Sequence, residues 1–384
     1  MRPQEGTVPR VSPITELDFR SERALRSEVA RAIPALFAEG WVDPSKIHHQ
    51  SARFRQRISQ ARESIAQSLK VPQESLIFVG ELGFAFDLAL TGLLRDCVGD
   101  LAHSEVDRQI IHAQLEAHSL TELSGKKLIL PSLPSGELDL TRMDLLKNNL
   151  DFLALQGTNR ETGVQNNLKE ISQIPHFQRS RIFLDLTADI RTGEELGRWD
   201  VAIWDGRNFG GPTGISILSI PDKSRWINPH PFLSPARSFN SFSPPLLIAT
   251  ALAMEYWRND RDEEREKIQL LHEYFQSTLN QRLALMPMTV HLAGVGAQKD
   301  PRFIALAIPG AIAEEILRAL EQESILIDAG SACGSGPISP SHVLDSLGFQ
   351  GFAHLRIRLK PEHDREAIDK LIESLTVAIE KSLQ

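Results

Sequence analysis

Cysteine is nearly absent. Cys97 and Cys333 are the only two in 384 residues, too few for a disulfide framework, and two thiols alone do not make a zinc site. Long apolar runs are missing as well. The longest, such as PPLLIATALAMEYW, are too short and too mixed to span a bilayer. The opening MRPQEGTVPRVSPITELDFR has no apolar core of the kind that directs secretion. Positive charge is in deficit: 42 Lys and Arg against 50 Asp and Glu give a net charge of -8, which argues against a general binder of nucleic acid or of a membrane surface. There is no internal repeat and no low-complexity segment. The expectation is a cytoplasmic protein with neither nucleic-acid nor membrane partners. Its 41% hydrophobic and 24% charged residues suit a globular chain with one large core or two unequal ones.

What is there is alternation. The runs ESLIFVG, KKLILPSL, LDFLALQG, RIFLDLTA, DVAIWDG and GISILSI read as strands separated by helical stretches. That order predicts an α/β chain with a mostly parallel sheet covered on both faces. Before them come an extended arm and the helical RALRSEVARAIPALFAEG. After them a long helical stretch begins at SPPLLIAT, and its charge run RNDRDEEREK reads as a solvated helix face. The C-terminal stretch places Ile368, Leu371, Ile372, Leu375 and Ile379 on one helix face, the spacing of core packing. The expected division is an arm and helix over 1–40 joining a smaller domain, a large domain over 41–260, and the small domain over 261–384, with no separable linker.

The stretch GSACGSGPISPSHVLDSLGF, Gly330 to Phe349, sets Cys333 among small residues just before a helix start, and LRIRL follows shortly after. Upstream, in order, stand DPSKIH (Asp43 to His48), ARESIAQSL, TNRETGV (Thr158 to Val164), FLDLTA and the ungapped DVAIWDGRNFGGPTGISIL. Together these resemble the cysteine desulfurases of the class V aminotransferase family, fold type I of the pyridoxal-phosphate enzymes, over most of the chain. The resemblance implies a mostly parallel seven-stranded sheet in the large domain, a smaller α+β domain built from both chain ends, and a homodimer with sites at its interface. It also implies pyridoxal phosphate as the family's cofactor, and a cysteine thiolate that takes sulfur from the substrate as a persulfide.

The same alignment exposes departures. Such an enzyme needs a lysine to hold the cofactor aldehyde as a Schiff base and to move protons, and the position of that lysine is Asn208. No lysine lies between Lys169 and Lys223, so a slip in register cannot supply one. The phosphate turn, GELGFA over Gly80 to Ala85, lacks hydroxyls and brings Glu81 toward a dianion. Val106 falls where a histidine stacks on the ring, with His103 or His112 in the vicinity. Ala188 replaces a glutamine, and the phosphate contact expected from across the dimer reads RSFN, Arg237 to Asn240.

Other positions remain. Asp185 sits where an aspartate pairs with the pyridinium nitrogen, Asn159 where an asparagine contacts the ring hydroxyl, and Arg358 where an arginine clamps the substrate carboxylate. Cys333 sits where the thiolate accepts sulfur. Each also has a structural reading: Asp185 as a turn cap or arginine partner, Asn159 as a turn residue, Arg358 as a salt-bridge partner. His48 would pack a loop, and Cys97 would be a core cysteine. Arg207 either binds an anion or pairs with Asp185 or Asp205. No charge adjacent in sequence depresses the Cys333 thiol.

The expectation from all this is a degenerate family member without ordinary pyridoxal-phosphate catalysis and with no cofactor. It would serve in sulfur relay, regulation or scaffolding through Cys333, as a homodimer or a heterodimer with an active paralogue, and with a sulfur donor or acceptor protein as partner. Two alternatives stay open. One is an active desulfurase or lyase that binds pyridoxal phosphate non-covalently and draws a base from among His103 to His118. The other is a binding protein for a small anion, using Arg207, Arg237 and Arg358.

Overall fold

The computed structural model describes residues 17–20, 23–39, 42–44, 46–95, 97, 100–104, 127–141, 150–230, 242–330 and 341–384. Cys333, Val106, His112, His118, Arg237 and Asn240 lie outside the described residues.

Apolar residues at every second position build the main sheet. In β6 (Arg181–Leu186), Ile182, Leu184 and Leu186 enter one core while Phe183 enters another on the opposite face. In β7 (Val201–Asp205), Ala202 and Trp204 join the first core, Val201 and Ile203 the second. A strand sends successive side chains to opposite faces, so strands apolar at every position must be covered twice. The sheet has seven strands, ordered β2 (Leu76–Val79), β8 (Ser216–Ser219), β7, β6, β5 (Leu150–Gln156), β3 (Asp100–Ser104) and β4 (Lys127–Leu130). Strand β8 runs antiparallel to both its neighbours, and the other four pairings are parallel. The expected α/β class with a mostly parallel seven-stranded sheet is the one observed.

One face is covered by α2 (His49–Leu69), through Phe54, Ile58, Ile65 and Leu69, and by the start of a long helix. The other is covered by α3 (Leu82–Leu94), whose Phe86, Leu90 and Leu93 pack on Phe152, Phe183 and Ile203. Two short helices, α4 (Leu168–Gln173) and α5 (Gly193–Leu196), follow β5 and β6. The long helix α6 (Pro244–Leu283) contributes Leu247, Met254 and Trp257 to the first core, and Ile268, Leu271, Phe275 and Leu279 to a separate one. Residue 260, the expected boundary, thus falls inside a continuous helix. In the arm, α1 (Ser27–Ala38) sets Val29, Ile33 and Leu36 against Ala249, Leu252 and Ala253 of α6.

The separate core belongs to a four-stranded antiparallel sheet, ordered β12 (Asp328–Ala329), β13 (Ala353–Arg358), β10 (Phe303–Ile308) and β9 (His291–Leu292). It is covered by α7 (Ala313–Gln322) and α9 (Arg365–Ser382), and α9 buries Ile368, Leu371, Ile372, Leu375 and Ile379 as their spacing predicts. The short α8 (His342–Ser346) precedes β13. The chain start reaches this part of the molecule: β1 (Leu17–Asp18) pairs in parallel with β11 (Ile325–Leu326). Among the described residues, no helix is long and apolar enough to cross a membrane.

Candidate functional site

Neighbouring parallel strands end together, so β5, β6 and β7 deliver Gln156, Asp185 and Asp205 to one edge, with Gln156 in register with Asp185. The carboxyl edge of an open α/β sheet is where ligands bind. Asp185 is 2% exposed. Its Oδ1 accepts from the Thr187 backbone N–H (2.9 Å) and hydroxyl (2.6 Å), and its Oδ2 receives the Gln156 amide at only 3.5 Å. One oxygen of a buried carboxylate is therefore only weakly satisfied and retains acceptor capacity.

Asn159 holds its own turn. Its Oδ1 accepts from the backbone N–H of Glu161 and Thr162, both 3.0 Å, and from the Thr162 hydroxyl at 3.1 Å. Its Nδ2 donates to Gln156 Oε1 at 3.1 Å.

Asn208 lies in a single 3-10 turn, Gly206–Phe209, directly after β7. It is buried and held at both ends of its amide: Nδ2 donates to the Thr187 carbonyl, and Oδ1 accepts from Arg358 Nη2 at 2.8 Å. Arg358 reaches this point from the second sheet. In β13, Leu355 and Ile357 enter the core and leave His354, Arg356 and Arg358 on the other face. Burial, with the guanidinium of Arg302 nearby, pushes Arg358 well below its ordinary range, and its guanidinium lies 5.1 Å from the Phe303 ring centroid. The structure brings Asp185, Asn208 and Arg358 together through Thr187. Arg207 stands apart from that set: its Nε and Nη2 donate to Asp205, the closest at 2.6 Å, so the ion pair is with Asp205 and not with Asp185.

At the start of α3, Glu81 does more than lend charge. Its carboxylate accepts from the backbone N–H groups of Gly83 (2.8 Å) and Phe84 (2.5 Å). These first-turn N–H groups, which have no acceptor within the helix, are the donors a phosphate would otherwise use. His48, expected to pack a loop, is instead exposed at the N-cap position of α2, where its side chain makes no capping hydrogen bond. Cys97 is 3% exposed with its thiol toward the Leu93 carbonyl, in the core.

Sequence reasoning missed Thr187, Gln156 and the Asp300–Arg302 pair. A signal for the last was present. Asp-x-Arg occurs four times, at Asp18, Asp189, Asp205 and Asp300. Each time the arginine N–H and guanidinium both close onto the aspartate two residues back.

The model of the aminotransferase class V family matches residues 24–371. The cysteine desulfurase IscS of Dictyoglomus turgidum is 26% identical over 381 residues, covering 95% of this chain and 94% of its own length. Among solved structures, a NifS-like protein superposes with a TM-score of 0.81 at 16% identity, covering 95% of this chain and all of that one. An apo cysteine desulfurase of Thermococcus onnurineus gives 0.81 at 15% identity, covering 95% of each chain. At this level of identity the superpositions show the fold, which is fold type I.

The matched family and these relatives imply pyridoxal phosphate, and that overturns the expectation of no cofactor. The error lay in reading the joint loss of the covalent lysine, the hydroxyl-bearing phosphate turn and the stacking histidine as loss of the group. The residues of this chain fit its pyridine end in chemistry, since the buried Asp185 Oδ2 is a weakly satisfied acceptor for an N–H donor. They offer no amine at position 208. With the family model matched over most of its length, the chain belongs to the class V aminotransferases and is a cysteine desulfurase-like member of that family.

Proposed function

We propose that this protein binds pyridoxal phosphate non-covalently, on Asp185, and does not carry out lysine-dependent desulfuration. The observation that carries this reading is Asn208, a residue without a basic nitrogen, held between the Thr187 carbonyl and Arg358. When bound, the cofactor supplies an electron sink for substrate carbanions. The chain's own groups do less than a full enzyme's. Asp185 would accept the pyridinium N–H and is itself oriented by Thr187. The Asn208 amide cannot shuttle a proton, and it takes up a donor of Arg358, the group that would receive a substrate carboxylate. Glu81 must rotate off Gly83 and Phe84 before a phosphate can use their N–H groups.

The test is incubation with pyridoxal phosphate, desalting, borohydride reduction and intact-mass analysis. The expected result is cofactor retained before reduction, no covalent mass gain after it, and retention lost in Asp185→Ala. A lysine adduct, no retention, or sulfide release from cysteine would each overturn the reading.

A sulfur-acceptor role for Cys333 goes with it, supported by the small-residue sequence around that thiol. Its thiolate would attack the outer sulfur of a donor's persulfide. The donor S–S bond breaks, a new one forms on Cys333, and the donor thiolate leaves. The acceptor would be a homodimer visited by a separate donor protein, or one half of a heterodimer whose other half is an active paralogue. Incubation with an active cysteine desulfurase and cysteine should add one sulfur to Cys333; an unmodified Cys333 beside a loaded donor would exclude relay.

A further inference from the structure

A cavity of about 300 Å³ opens between α6, the Gln298–Arg302 segment and the Arg358–Pro361 strand end. None of Asp185, Asn159 or Asn208 lines it, so it is distinct from the edge where the cofactor would sit. The run RNDRDEEREK, expected to be a wholly solvated face, contributes to its wall. Trp257, Arg261, Glu264, Arg265 and Ile268 follow the three-to-four spacing of one helix stripe, and all of them line the cavity. The charge run is therefore only partly a solvated face.

The walls carry eight basic side chains and three acidic ones. Most of the cations have a carboxylate: Arg23 has Glu264, Arg261 has Glu195, Arg302 has Asp300, Arg191 has Asp189 and Lys360 has Asp18. Arg265, at the exposed rim, has no such pair among the described residues, and neither does the half-buried Lys299. Its Nζ donates to the Ala293 carbonyl at 2.8 Å, and among the described residues no carboxylate forms an ion pair with it. Burial without such a partner pushes it down to about 8. A cation partly withdrawn from water gains from a counter-charge, and among the described residues no carboxylate supplies one to Lys299. Ile190, Trp257, Ile268 and Leu359 add apolar wall. The size is at the small end of pockets that take organic ligands, and the lining is more charged, with more cations than anions, than is usual for them.

We propose that this cavity binds a small organic oxyanion, a carboxylate or a phosphate ester, with Lys299 as its principal counter-ion and Arg261 beside it. The site does not depend on the cofactor reading. It shares one side chain with the cofactor edge, because Arg358 lines the cavity and also holds Asn208.

Calorimetric titration of the full chain, without pyridoxal phosphate, decides it. The probes are inorganic phosphate, phenyl phosphate and succinate, at ionic strength fixed with chloride. Saturable binding is expected for at least one probe, and the arm that binds identifies phosphate or carboxylate as the source. Lys299→Gln should weaken it by about tenfold or more, the loss of one charge-assisted hydrogen bond. Lys299→Arg should retain it, as should Lys169→Gln at an exposed lysine elsewhere. If Lys299→Gln loses its native circular dichroism, Gln298→Glu serves instead: an acid placed at the exposed mouth should weaken binding similarly. No saturable binding by the unmodified protein, or equal binding by the Lys299→Gln and unmodified chains, would overturn the proposal.

Discussion

At the scale of single residues, the same local motif has different consequences at different depths. Asp300 and Arg302 are both nearly inaccessible, and Arg302 also donates to the Ala188 carbonyl at 2.9 Å. Asp300→Ala would strand a buried guanidinium, so a loss of about 3–5 kcal/mol in urea unfolding is expected. Arg20→Ala breaks the exposed copy with Asp18 and should cost less than about 1 kcal/mol. Equal losses at the two positions would contradict the role given to burial. Asn208→Lys is the complementary test of the cofactor edge. An amine placed beside the Arg358 guanidinium is held below its ordinary pKa by like charge, which favours attack on an aldehyde. The expected outcome is a borohydride-fixed cofactor adduct where the unmodified chain has none, with some loss of stability.

Elements place these residues through simple periodicities. Strand β13 alternates, so its apolar half secures the second sheet while its basic half projects Arg358 to Asn208. Helix α9 has one apolar stripe, and Leu371→Ala within it should cost about 2–5 kcal/mol in urea unfolding. Helix α3 shows two demands in conflict. Glu81 caps it, and the same N–H groups are what an incoming phosphate needs. Glu81→Ala should lower stability by about 1 kcal/mol yet raise retention of pyridoxal phosphate after desalting. If retention falls instead, the carboxylate is not competing for that position.

For the whole molecule, the chain start is bound into the second sheet: the Arg358 N–H donates to the Phe19 carbonyl at 2.7 Å, and His363 Nε2 pairs with the Asp18 carbonyl at 3.1 Å. Burial pushes His363 from 6.5 down to about 4. The unfolded chain therefore takes up this proton below about pH 6.5, while the folded chain resists until about pH 4. Stability is full above the unfolded value and falls through that window, by an amount on the order of 3 kcal/mol. His272, lowered by the same cause, adds in the same direction. Urea unfolding at pH 7 and pH 4.5 should show the loss, and His363→Gln should reduce it. An unchanged slope in the variant would place the acid sensitivity elsewhere.

Much of this was legible in order and period. Alternating strands, one helix stripe in α9 and the sequence of motifs determined the fold class, the family and the amide at position 208, because each depends on residue type and short-range spacing. Tertiary structure decided the rest. That Arg358 would reach Asn208, 150 residues away, depends on how one sheet meets the other. That Arg207 would choose Asp205 over Asp185 depends on the turn after β7. And part of a charged helix face lines a cavity only because α6 passes both cores, bringing Arg261 level with Lys299 and the end of β13. Contacts between groups far apart in the chain are set by packing, and no local pattern records them.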